Sequence, residues 1–195
     1  MPQNNIIAIC YDFDKTLSPR NMQEDTIFKE YGIDAGRFWR EVDRVVKRDR
    51  YDKALCYLNK LIFDPVFLKK PLTEKRLGAL ARKVRYCPGV KSFFPRIDRF
   101  VQEQARVAGR KVRLEHYIIS SGLKTILDKM SLRKYFKAVY ACEYEYGKDK
   151  APKGVKTVVN DAMKTQCLFR ISKGKLGLHE DVNERVKKGA FRIPF

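Results

Sequence analysis

The chain has 195 residues, with 42 Lys+Arg against 23 Asp+Glu, and a formal net charge of +19. Its 44% hydrophobic content is too high for a disordered chain, and 11 glycines and 8 prolines are too few for a low-complexity or collagen-like one. No apolar run reaches the roughly 18 residues that a membrane-spanning helix needs. The opening Met1-Pro2-Gln3-Asn4-Asn5 lacks the charged-then-apolar layout of a signal peptide.

The five cysteines, Cys10, Cys56, Cys87, Cys142 and Cys167, are odd in number and scattered, with no CxxC pair. They read as reduced thiols of a cytoplasmic protein rather than a zinc ribbon or disulfide framework. The positive charge is spread along the chain: residues 19–85 hold 17 basic and 10 acidic side chains, residues 86–195 hold 24 and 11. A spread excess without a nucleic-acid motif argues against a nucleic-acid partner and suits an anionic small substrate better.

In chain order, Asn5 to Tyr11 is short, apolar and β-branched, the pattern of a buried strand. Asp12-Phe13-Asp14-Lys15-Thr16 follows at once, and Leu17-Ser18-Pro19 breaks into a loop. Residues 19–85 carry apolar residues at helical spacing, with Thr73 as an N-cap; they are expected to form an all-helical insert. Arg37, Arg40, Arg44, Lys47 and Arg48 in this insert either meet an anionic substrate or form the wet face of a helix. Tyr86-Cys87-Pro88-Gly89 turns the chain back.

Val90 to Ala108 is an amphipathic helix, Val112 to Ile119 a second buried strand, Leu123 to Met130 a helix and Ala138 to Tyr146 a third strand. Pro152 to Lys164 is expected to be helical; Gln166 to Ile171 is less clearly patterned, and Gly174 to Phe195 is basic and weakly patterned. Strands alternating with helices predict an α/β fold with a largely parallel, Rossmann-like sheet and helices on both faces. In such sheets ligands bind beyond the carboxyl ends of the strands.

Two carboxylates at i and i+2 just past a buried strand suit phosphoryl transfer. One can attack as a nucleophile while the other moves protons, with Mg2+ offsetting the repulsion between carboxylate and phosphate. The alternative for Asp12 and Asp14 is an Asp-rich turn. Ser120, Ser121 and Gly122 follow the second strand, where a hydroxyl and N–H groups could hold a phosphoryl group; the alternative is a plain N-cap. Lys150, Lys153, Lys156 and Lys164 are candidate cations after the third strand.

Asp12-Phe13-Asp14-Lys15-Thr16-Leu17 resembles the first motif of the haloacid dehalogenase-like (HAD) hydrolases, and Ile118-Ile119-Ser120-Ser121-Gly122 the second. The helical insert is similar to that superfamily's C1-type cap, and the order matches its phosphoserine-phosphatase-like branch. The resemblance implies a core of residues 1–18 and 86–195 with a cap of residues 19–85. It implies a Mg2+-dependent phosphatase of a small phosphorylated metabolite, working through an aspartyl-phosphate. Asp12 would be the nucleophile, Asp14 the general acid/base, and both would serve the metal. Thr16 would orient the motif, and Ser120, Ser121 and Gly122 would bind phosphate. The third-motif lysine would be Lys164, with Lys153 as alternative.

One part of the family pattern does not appear. Its fourth motif, an acidic Gly-Asp-x-x-x-Asp after another buried strand, has no counterpart, since Glu180-Asp181 follows no such strand. The expectation is therefore a truncated, weakly active chain whose HAD-like core is incomplete at the C-terminus, leaving the Asp12 strand as a bare sheet edge. The alternative function is an inactive HAD-fold module that binds an anionic ligand or nucleic acid through its basic surface.

Overall fold

A computed structural model describes residues 5–184, 186 and 192–194. The expectation about the opening residues, apart from Asn5, and part of that about residues 174–195 lie outside the described residues. The centre is a sheet in the order β4-β3-β2-β1-β5. β1 is Asn5–Tyr11, β2 Val112–Leu123, β3 Phe136–Tyr146, β4 Pro152–Thr157 and β5 Ile193–Pro194. β1 runs parallel to β2 in continuous register from Asn5↔Val112 to Tyr11↔Ile118, and β2 runs parallel to β3. β2 is thus the middle strand, and His116 to Ser120 along it are all buried.

Between β1 and the return turn at residues 86–89, the regular elements of the described chain are all helical. A π-helical turn, Glu24–Phe28, runs into α1 (Lys29–Tyr31), which Gly32 ends at φ 63°. Then come α2 (Ala35–Asp49), α3 (Lys53–Phe63), α4 (Pro65–Lys69) and α5 (Glu74–Leu80). Their starts are written in the sequence. Asp34, Asp52, Asp64 and Thr73 each accept a hydrogen bond from a first-turn N–H of their helix, and Pro65 sits where a missing N–H costs nothing. The apolar stripes of these helices join the sheet's apolar residues in one continuous core, which runs from Phe28, Phe38 and Leu58 to Phe13, Ile118 and Cys142.

α6 (Val90–Val107) follows the return turn, α7 (Lys124–Leu127) follows β2, and α8 (Asp161–Lys173) follows β4. Neighbouring residues of a strand point to opposite faces. Tyr11 meets Phe94 of α6 edge-on at 5.7 Å, while Cys10 lies beside Cys167 of α8. α6 and α8 therefore cover opposite faces of the sheet. No helix among the described residues is long and apolar enough to cross a membrane.

Three elements depart from the sequence expectations. The stretch from Pro152 is a strand: β4 pairs antiparallel with β3 after a tight turn in which Gly147 N–H donates to Ala151 O and Lys150 takes φ 64°. The helix begins only at Asp161, capped by Asn160, and continues through Gln166–Ile171. The helix expected from Leu123 is a single turn, because residues 120–123 stay extended at the end of β2. Finally, β1 is not left bare: Ile193 and Pro194 pair with Ile7 and Ala8.

Candidate active site

β1 delivers Asp12 to the carboxyl end of the sheet. A tight turn follows, in which the carbonyl of fully buried Phe13 accepts the N–H groups of Thr16, Leu17 and Ser18. Lys15 sits at φ 62° in this turn. Leu17 O accepts the N–H of Cys87, so the segments leaving and re-entering the sheet region are tied side by side. Thr16 is exposed.

The two aspartates occupy different environments. The Asp12 side chain is 42% exposed, and Lys164 Nζ lies 3.3 Å from its Oδ1. Lys164 stands in the first turn of α8, where its N–H donates to Asn160 O, so the Asn160 cap sets its position. Asp14 turns inward, and its Oδ1 accepts Met22 N–H at 2.7 Å. Burial pushes its carboxyl up to about 7; the Met22 bond opposes this, Asp12 and Glu24 add to it, and Lys164 opposes it. A neutral-range carboxyl next to a lysine-paired one is the division of labour that acid–base chemistry near pH 7 requires.

Ser120 is fully buried beyond Ile118, the register partner of Tyr11, so it ends on the strand adjacent to Asp12's. Its Oγ accepts Gly122 N–H at 3.0 Å. The helix-terminal anion cradle expected at Ser121 and Gly122 is therefore altered. Gly122 N–H is used locally, α7 is too short to present a helix terminus, and Ser121 O accepts from Tyr57 OH. The Ser120 hydroxyl still has its own proton to donate. Lys153 stands elsewhere, on β4, where it pairs with Glu145 at 2.7 Å.

A cleft of about 510 Å³ opens beside Asp14 and Ser121, walled by Asn21, Gln23, Glu24, Trp39, Asp43, Asp52, Tyr57, Asn160 and Asp161 among others. None of these nine is among the site residues expected from the sequence. The polar run Asn21-Met22-Gln23-Glu24 immediately after the Asp motif was the available signal. Arg37, Arg40, Arg44, Lys47 and Arg48 are exposed and stand outside this wall. The oxygens of Asp12 and Asp14 suit a hard divalent cation, which takes one or two carboxylates plus phosphate oxygens and water. Among the described residues no group of three or more His, Cys, Asp or Glu forms a metal cage.

No family model matches the chain. An uncharacterised protein of Borreliella burgdorferi is 31% identical over 217 aligned residues, covering 99% of this chain and 73% of that protein. The two belong to one family. Among solved structures, a HAD family hydrolase from Salmonella enterica serovar Typhi superposes with TM-score 0.59 at 18% identity. It covers 88% of this chain, which spans only 52% of that one. A substrate-bound phosphoserine phosphatase gives TM-score 0.57 at 15% identity, covering 88% of this chain and 72% of the other. The fold is HAD-like. In this chain the first strand of that fold ends just before Asp12, and the regular elements that follow it are helices up to β2.

Proposed function

We propose that the chain is a Mg2+-dependent phosphohydrolase of a small phosphorylated metabolite that works through an aspartyl-phosphate on Asp12. The observation that carries this is the contrast between the two aspartates: Asp12 is exposed enough to meet a ligand and is held by Lys164 at 3.3 Å, while Asp14 is half-buried with its carboxyl pushed up to about 7. Asp12 Oδ forms a bond to phosphorus as the ester P–O bond breaks, and the departing oxygen takes the Asp14 proton. A water then attacks phosphorus and gives its proton to Asp14. The bond to Asp12 breaks, and inorganic phosphate leaves.

Lys164 screens the nucleophile and the phosphoryl charge, and the Ser120 hydroxyl donates to a phosphoryl oxygen. Mg2+, held by the Asp12 carboxylate and the Asp14 backbone carbonyl, would neutralise phosphate charge as the nucleophile approaches. The helices of residues 19–85 act as a cap that shields the reacting centre from bulk water. Hydrolysis of p-nitrophenyl phosphate in MgCl2 tests the reading. We expect turnover that EDTA and Asp12→Asn both abolish; turnover unchanged in Asp12→Asn overturns it.

A further inference from the structure

One carboxylate joins the helical insert to the helix that bears Lys164. Asp52 caps α3 through Oδ1, which accepts Leu55 N–H at 2.9 Å. Its other oxygen, Oδ2, accepts Asn160 Nδ2 at 3.1 Å, across 108 residues of sequence. Asn160 in turn caps α8. Its Oδ1 accepts Met163 N–H at 3.0 Å, and its backbone carbonyl accepts Lys164 N–H at 2.9 Å. Lys164 Nζ then reaches Asp12 Oδ1 at 3.3 Å. A continuous run of hydrogen bonds thus leads from the insert to the candidate nucleophile.

The chemistry of the amide gives the Asp52 contact its use. An asparagine side chain has an accepting and a donating end of nearly the same shape, and only the accepting end caps a helix. An ionised carboxylate accepts and does not donate, so Asp52 holds the Nδ2 end of Asn160 and leaves Oδ1 to the first turn of α8. α3 is a firm base for this. Tyr57 OH of α3 donates to Ser121 O, and Tyr144 OH of β3 donates to Leu58 O of α3 at 3.1 Å. Ala54, Tyr57, Leu58, Leu61 and Ile62 of the same helix are buried. The residue before Asn160 is fixed too, since Val159 N–H donates to Cys142 Sγ at 3.2 Å.

We propose that Asp52 and Asn160 are positioning residues for the hydrolysis: through this pair the insert holds Lys164 against Asp12. The inference rests on the phosphohydrolase reading, in which Lys164 screens the nucleophile and the phosphoryl charge. Neither residue touches the substrate in this role.

The test exchanges the two ends of the bond. Asp52→Asn keeps an oxygen for Leu55 N–H but sets a donor against the Asn160 donor. Asn160→Asp keeps an oxygen for Met163 N–H but sets an acceptor against the Asp52 acceptor. The double variant restores one donor to one acceptor, with both caps and the net charge kept. Two readouts are taken on the full chain: kcat and KM for p-nitrophenyl phosphate in MgCl2, and acetylation of Lys164 by limiting acetic anhydride, mapped by mass spectrometry. Each single variant should lose about tenfold in kcat, the worth of one charge-assisted hydrogen bond, and Lys164, freed from Asp12, should be acetylated several-fold faster. The double variant should recover both.

Losses that add in the double variant overturn the inference, as does a change in KM alone, which would make Asp52 a substrate contact. Single variants with parental kcat and parental labelling overturn it and leave the phosphohydrolase reading standing. Labelling that follows the pair in a chain without turnover supports the link to Lys164 and removes the phosphohydrolase reading instead. Neither turnover nor altered labelling overturns both.

Discussion

Replacing Asp14 with asparagine removes a proton-binding group while keeping an oxygen to accept Met22 N–H. The Asp14 carboxyl moves from an ordinary 3.8 up to about 7, chiefly through burial. Because the folded state then binds the proton more tightly than the unfolded chain, stability contributed by the protonated form is complete below the unfolded value. It is lost as pH rises through the window from 3.8 to about 7. At about 1.4 kcal/mol per pH unit, that window amounts to about 4 kcal/mol lost above neutrality. Urea unfolding in EDTA from pH 4 to pH 9 should therefore show the two proteins converging at pH 4. Asp14→Asn should gain on the parent through neutrality and hold a constant advantage above it. An advantage that does not vary with pH would refute the argument that burial holds this carboxyl protonated.

Two further substitutions probe the frame around the site. Glu115 is buried on β2, takes Arg192 Nε at 2.6 Å and accepts from Tyr117 OH. Glu115→Ala leaves those partners without their carboxylate and should cost about 3 kcal/mol in urea unfolding, with a lower melting temperature; a loss within experimental error would show the pair to be inert. A Cβ at Gly122 would lie 2.1 Å from Met22 Cε and 2.8 Å from its Sδ. Gly122→Ala must displace the buried Met22 thioether, which also accepts Leu123 N–H, at a cost of about 1–2 kcal/mol. Since Met22 N–H holds Asp14, hydrolysis of p-nitrophenyl phosphate should fall as well; an unchanged rate would show that the two are uncoupled.

How far the sequence reads depends on where each signal is stored. β1 and the Asp12–Asp14 turn are legible because a buried parallel strand is a continuous apolar run, and its end is abrupt. The helices of residues 19–85 are legible because their apolar residues recur at helical spacing and Thr73 marks the start of the last; the caps at Asp34, Asp52 and Asp64 come from the structure. β4 is not, because Pro152-Lys153-Gly154-Val155-Lys156-Thr157 is an edge strand with little burial; only its pairing with Glu143–Tyr146 makes it a strand. That misreading bears on the lysines, since a strand over 152–157 carries Lys153 out to Glu145 and leaves Lys164 at the helix start. The acidic cleft is the least legible feature. Gln23 and Glu24, Asp52, and Asn160 and Asp161 come from three distant segments, each an ordinary polar cap or turn where it stands. Net charge pointed to an anion-binding surface, whereas the wall of the cleft has the opposite sign.

The central claim is that Asp12 becomes phosphorylated. Its most direct test is acid-quenched mass spectrometry of the chain during turnover of p-nitrophenyl phosphate, whose leaving group departs without Asp14's proton, in MgCl2. The account predicts a hydroxylamine-labile phosphoryl adduct that maps to Asp12, accumulates in Asp14→Asn and is absent from Asp12→Asn. Hydrolysis that proceeds with no adduct on Asp12, at a rate indifferent to Asp12→Asn, would contradict it.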